Sequence, residues 1–223
     1  MTLSTNRSPL SATERSSDGL APAVKQRLGW FSRHPSAHAR FLNTLSLMEH
    51  IGSRKIMASQ SDRALGGETL RHLAEETRHA YFFKRAAEKL AHRHLGYDAS
   101  ETLAGAAARG YMERLDAEIL HELDGEPASP LPYLYMSLIV ELRAVWFYRL
   151  YQDALIEHGL SLSLRSVLAE EELHLDAMLA RLGEMDSHCT PRMSRFQVLE
   201  LHRFRVLWDA IEAECGGERL AAE

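Results

Sequence analysis

A seven-residue phrase occurs twice in this chain. Leu73 to His79 reads LAEETRH, and Leu168 to His174 reads LAEEELH. Each copy lies in a segment whose apolar residues recur at helical spacing. In a helix, a Glu at i and a His at i+3 leave from one face about 4.5 Å apart along the axis. A carboxylate beside an imidazole is a donor pair that iron, manganese and zinc accept. One Glu-x-x-His says little, because the two residue types fall three apart in many exposed helices. Here each copy is preceded by another helical segment with a Glu near its middle, so the pattern has two matching halves. Glu49 precedes Glu76 and His79 by 27 residues to the Glu, and Glu141 precedes Glu171 and His174 by 30. Both steps suit an antiparallel helix pair joined by a short loop. Four Glu and two His converging from four helices are the side chains of a di-iron or di-manganese carboxylate site. The competing reading is a plain helical bundle whose Glu and His lie on solvated faces. Repetition of the spacing and the inward faces derived below count against it.

The segments that must position these residues can be read from the apolar period. The first core helix is expected from about Ser36, after Pro35, to Ser59, with Leu42, Leu45, Ser46, Gly52, Ser53 and Ile56 on the face of Glu49. After Gly66-Gly67 the second runs from about Glu68 to His94. Its face holds Leu73, Glu76, His79, Ala80, Phe83, Ala87 and Leu90. His72 points the same way and is read as a supporting or surface residue rather than a ligand. Glu75 falls about 100° off that stripe, so Glu76 is expected to face inward with Glu75 on the flank. A long connection from Gly96 to Pro132 follows, with one helical stretch at about 111–123. Connections of this length are uncommon unless they cross a bundle or do a job. The third core helix is expected over about 131–158, where Glu141 shares a face with Leu134, Ser137, Leu138, Ala144, Val145 and Tyr148. The fourth is expected over about 161–182, with Leu164, Leu168, Leu175, Met178 and Leu182 centred on Glu171, and Glu170 and Glu172 to either side. Thr190-Pro191 opens a further helix that Gly216-Gly217 should end.

The composition is that of an all-α globular protein: rich in Ala, Leu, Glu and Arg, with 7 Pro in 223 residues. A net charge of −5 with scattered basic residues gives no nucleic-acid surface. No apolar run approaches a membrane span, and the N-terminus has no secretory hydrophobic stretch, so cytoplasm is the expected compartment. Residues 1–21 have no periodic apolar face and read as a mobile tail. Val24, Leu28, Trp30 and Phe31 read as a short amphipathic lead-in. The expected organisation is thus a tail and one domain over 22–223, with its core at 36–182 and an additional helix at 191–215.

On the two Glu-x-x-His copies and the long connection, the chain resembles the ferritin-like superfamily, over about residues 36–182. The resemblance implies a four-helix bundle with a long crossover between its second and third helices and an extra C-terminal helix. It implies Glu49, Glu76, His79, Glu141, Glu171 and His174 as ligands of two iron ions, or of manganese, with Glu76 and Glu171 as bridges. Two copies of the motif are similar to bacterioferritin, rubrerythrin and the di-iron oxygenases. Bacterioferritins have a shorter crossover and a haem-binding Met where this chain has Thr77. Rubrerythrins add Cys-x-x-Cys pairs, whereas Cys189 and Cys215 stand apart. Length and crossover fit better among small di-iron oxidases and hydroxylases, such as the aldehyde-deformylating and transfer-RNA hydroxylase types. The function this implies is an O2-activating oxidoreductase acting on a small-molecule substrate with an external electron donor. A rubrerythrin-like peroxide reductase, a ferroxidase, and a metal-binding bundle without turnover are the alternatives. A homodimer is allowed for, and Tyr148, two turns after Glu141, is a candidate redox residue as well as an ordinary amphipathic core residue.

Overall fold

The computed structural model describes residues 8–59, 66–123 and 129–221, with side chains to residue 216. Among the described residues the chain is all-α, with eight helices and no strand. They are α1 (Pro9–Ser17), α2 (Ala21–Phe31), α3 (Pro35–Ser59), α4 (Gly67–Ala91), α5 (Gly105–Glu122), α6 (Leu131–Glu157), α7 (Arg165–Met185) and α8 (Cys189–Ala221). Among them none is long and apolar enough to cross a membrane.

Packing divides the chain into two compact units. One comprises residues 1–29 and 117–202, the other 30–116 and 203–223. Each unit holds one half of the repeated pattern. In the 30–116 unit α3 packs along α4. In the 117–202 unit α6 packs along both α7 and α1.

The α3–α4 pair buries the expected stripes, Leu42, Leu45, Ser46 and Ile56 on one helix and Ala80, Phe83 and Ala87 on the other. Ser46 Oγ donates to the Ala80 carbonyl at 2.7 Å and lies 2.8 Å from the Tyr97 hydroxyl. Ser53 Oγ donates to the His50 carbonyl at 2.9 Å. The Ser46 hydroxyl thus ties α3 to the α4 backbone and to Tyr97, while that of Ser53 bonds within α3. Asn43 Nδ2 ties the connection after α4 to α3 by donating to the Gly96 and Glu101 carbonyls at 2.8 and 2.7 Å.

α6 is buried on nearly every side, with Leu134, Tyr135, Leu138, Ile139, Leu142, Val145, Trp146, Phe147 and Tyr151 all inside. A helix that is apolar all round belongs at the centre of its unit. It stops at Gly159, whose φ of +64° is the left-handed conformation that glycine adopts without strain. Gln152 Oε1 then accepts the Leu164 amide at 2.6 Å and fixes the turn into α7.

The N-terminal segment corrects the expectation of a mobile tail over 1–21. Residues 1–7 lie outside the described chain, but 9–17 form α1. Ser8 caps it by accepting the Ser11 amide at 3.2 Å, and Pro9 occupies the first turn. Its buried residues are Thr13 and Ser17, so α1 docks through hydrogen bonds rather than an apolar stripe. Arg143 of α6 donates to Ser17 Oγ at 2.7 Å while pairing with buried Glu200 of α8 at 2.7 to 3.1 Å. Gln197 donates to the Pro9 carbonyl and to Thr13.

Several boundaries also differ. α5 begins at Gly105, before the expected 111, and α7 begins at Arg165 rather than 161. α7 continues through Gly183 and α8 through Gly216-Gly217. A helical glycine costs only about 1 kcal/mol relative to alanine, which packing elsewhere in a long helix outweighs. α7 ends instead at Asp186, where the backbone turns extended and the carboxylate accepts from the Tyr135 hydroxyl, Arg192 and the His188 amide. Burial alone would raise the Asp186 pKa, but those three hydrogen bonds hold it below the usual carboxylate value.

Candidate metal centre

In the unit of α3 and α4, α3 brings Glu49 and α4 brings Glu76 and His79. All three are buried, and each offers a ligand atom within 4.8 Å of the others. Two local features of the sequence set the position of Glu76. On the α3 side, Gly52 leaves open the space a side chain would fill. A Cβ at Gly52 would stand 3.0 Å from Glu76 Oε2. On the other side, His72 lies one turn before Glu76, and its Nε2 is 3.3 Å from Glu76 Oε1.

In the unit of α6 and α7, α6 brings Glu141 and α7 brings Glu171 and His174. Again all three are buried. His174 Nδ1 lies 3.7 Å from Glu141 Oε1 and 3.7 Å from Glu171 Oε2. Each unit therefore holds two buried glutamates and a buried histidine contributed by two packed helices, and Glu49, Glu76 and His79 belong to a group that could hold a metal ion. Two carboxylates match the charge of one divalent cation, and carboxylate oxygen with imidazole nitrogen is a donor set that iron, manganese and zinc accept.

The faces follow the apolar stripes. Glu76 and Glu171 point inward, whereas Glu75 and Glu170 are only half-buried. Glu172 is exposed and pairs with Arg149 at 2.7 Å. Thr77 is exposed too, its hydroxyl donating to the Leu73 carbonyl at 2.8 Å. Two buried acids outside the triads have different surroundings. Glu200 faces the Arg143 guanidinium and Asp186 faces Arg192, both at hydrogen-bond distance, as structural ion pairs do.

His72, expected as a supporting or surface residue, is not at the surface: it is as buried as Glu49, at 8% exposure, and stands beside Glu76. Its i−4 relation to Glu76 puts it on the same face, as the spacing predicts. Tyr148 is buried on α6, its ring 6.0 Å from that of Phe147 in an edge-on arrangement, as an amphipathic core tyrosine sits. Neither cysteine is in a disulfide; Cys215 is buried and Cys189 half-buried. Set against known proteins, the chain matches no family model, no curated protein and no solved structure.

Proposed function

We propose that this chain is a di-metal carboxylate protein of the ferritin-like kind: a non-haem di-iron oxidoreductase that activates O2 to oxidise a small organic substrate. The observation that carries the reading is the duplicated triad. Glu49, Glu76 and His79 form one buried set and Glu141, Glu171 and His174 the other, at matching positions of two helix pairs. Burying one such set is costly for a chain with no use for it, since removing carboxylates from water costs several kcal/mol each in order of magnitude. Burying two in the same arrangement points to two ions. Iron, when bound, would supply the redox chemistry with O2.

The chain's own residues hold the ions and set what can reach them. The four carboxylates provide the negative charge and the imidazoles neutral nitrogen donors. The buried aromatic and aliphatic side chains of α3, α4 and α6 keep bulk water away. Cys189 and Cys215 stand apart in sequence, and an external donor would supply the electrons.

Anaerobic loading with ferrous iron, followed by metal analysis and stopped-flow mixing, tests the reading. Two ions per chain and rapid oxidation by O2 are expected. One ion or none refutes the di-metal assignment. Two ions oxidised far faster by H2O2 than by O2 would make the protein a peroxide reductase, and two ions inert to both would make it a metal-stabilised bundle.

A further inference from the structure

We infer that His72 is a third histidine ligand, serving a different ion from His79, with Glu76 shared between the two. The inference rests on the di-metal reading above and adds a residue that the duplicated pattern does not contain. Along α4 the order is His72, Glu76, His79, at i, i+4 and i+7, so all three leave from one face. His72 and His79 stand about 10.5 Å apart along the helix axis, too far for one ion to be bound compactly by both. Glu76 stands between them and belongs to two donor groups. In one it has an oxygen within 4.8 Å of ligand atoms of Glu49 and His79, and in the other within 4.8 Å of a His72 nitrogen. Its Oε1 lies 3.3 Å from His72 Nε2, while Oε2 faces α3 at Gly52. A carboxylate whose two oxygens face opposite ways, with a nitrogen donor beyond one of them, is placed to join two cations.

Packing does not account for a histidine here. The duplicated motif supplies an internal comparison, since the position four residues before Glu171 is Val167, also buried. An apolar side chain thus fills the equivalent place in the other helix pair. Burying an imidazole in its stead costs desolvation, which a metal–nitrogen bond would offset. The consequence is that Glu76 serves two ions, with His79 on one and His72 on the other.

Cobalt(II) is the probe. Bound to the metal-free full chain, it shifts the N–H proton of each coordinated imidazole far outside the diamagnetic NMR range, and that signal vanishes in D2O. Three such signals are expected at two cobalt ions per chain. In His72→Gln one signal should be lost and one ion bound about 10- to 100-fold more weakly. Glutamine can still hydrogen-bond to Glu76, so restoration of wild-type affinity by His72→Gln would show His72 only steadying Glu76 and would overturn the inference. Two signals from wild-type protein carrying two cobalt ions would overturn it as well, without depending on how any variant folds. If wild-type protein binds no cobalt, it is the di-metal reading itself that falls.

Discussion

Replacing Gly52 with alanine should move stability and metal affinity in opposite directions. Gly52 lies within α3, where glycine destabilises a helix by about 0.5–1 kcal/mol relative to alanine. On that ground alone Gly52→Ala stabilises the metal-free chain. For a protein of this size about 1 kcal/mol corresponds to about 2–4 °C, so a rise of about 1–3 °C is expected once a small steric cost is deducted. The new Cβ, however, would stand 3.0 Å from Glu76 Oε2, against 3.4 Å for ordinary contact. The carboxylate must retreat by a few tenths of an ångström. That shift is comparable with the roughly 0.5 Å within which a functional group must be held. Loss of about tenfold in affinity for one ion, or about 1.4 kcal/mol, is the expected result. Calorimetry on metal-free and loaded protein reads both effects: the metal-free melting temperature rises and the gain on loading shrinks. A metal-free chain that melts lower with both ions bound as tightly as before would refute the reasoning and make Gly52 a packing residue only.

Three further outcomes are expected. Glu76→Ala and Glu171→Ala should abolish loading of at least one ion, while Glu75→Ala and Glu170→Ala keep most of it. The reverse pattern by metal analysis would mean the helix faces are rotated by one position. Glu200→Ala should cost about 3–5 kcal/mol in urea denaturation, because it leaves the buried Arg143 guanidinium without its carboxylate; a loss below about 1 kcal/mol would contradict that. His38 is held by burial at a pKa of about 4, below the ordinary 6.5. Its folded value lies under its unfolded value, so the unfolded chain binds the proton first. Stability is therefore full above about pH 6.5 and lost as pH falls towards 4. Between pH 7 and pH 5 the wild type should lose about 2 kcal/mol more than His38→Leu, and parallel pH profiles for the two would remove His38 as the cause.

The inward faces of the triads were legible in the sequence because a helix rotates a fixed angle per residue. Once Ala80, Phe83 and Ala87, with half-buried Leu73, define the apolar stripe, Glu76 falls inside it and Glu75 beside it, and the same holds for Glu171 against Glu170 and Glu172. What escaped lacks that periodic signal. α1 docks with Thr13 and Ser17, polar residues that look like tail composition until Arg143 and Gln197 are brought to them from more than 120 positions away. The Arg143–Glu200 pair spans 57 residues, and no spacing rule connects them. Gly183 and Gly216 looked like helix ends because glycine is common there. Inside long helices that are packed along their length, the same residue is merely a small local cost.

The places where the duplicated halves differ carry more chemical information than those where they agree. Agreement gives each unit two glutamates and a histidine on a pair of packed helices, which describes a fold able to hold cations. Two departures lie beside Glu76. His72 stands where the other half has Val167, and Gly52 stands three residues after Glu49, where the other half has Ala144 three residues after Glu141. One departure puts a nitrogen at Glu76 Oε1, and the other removes a methyl group from the path of Oε2. Both adjust the same carboxylate, from opposite sides, and both go against the local preference of a buried helix, one by adding a polar ring and the other by omitting a Cβ. A site whose two ions were equivalent would need neither change. Under the proposed function the ion on the Oε1 side gains the His72 imidazole, and Glu76 gains room to move against α3. The two metal positions would then differ in ligand field and in the freedom of their common ligand. Titrating ferrous iron into the metal-free chain should accordingly give two separated binding steps rather than one. His72→Val together with Gly52→Ala, which restores the repeat, should bring those steps closer together. A single step in the wild type, or an unchanged separation in the double variant, would show that the asymmetry around Glu76 has no consequence for the metals.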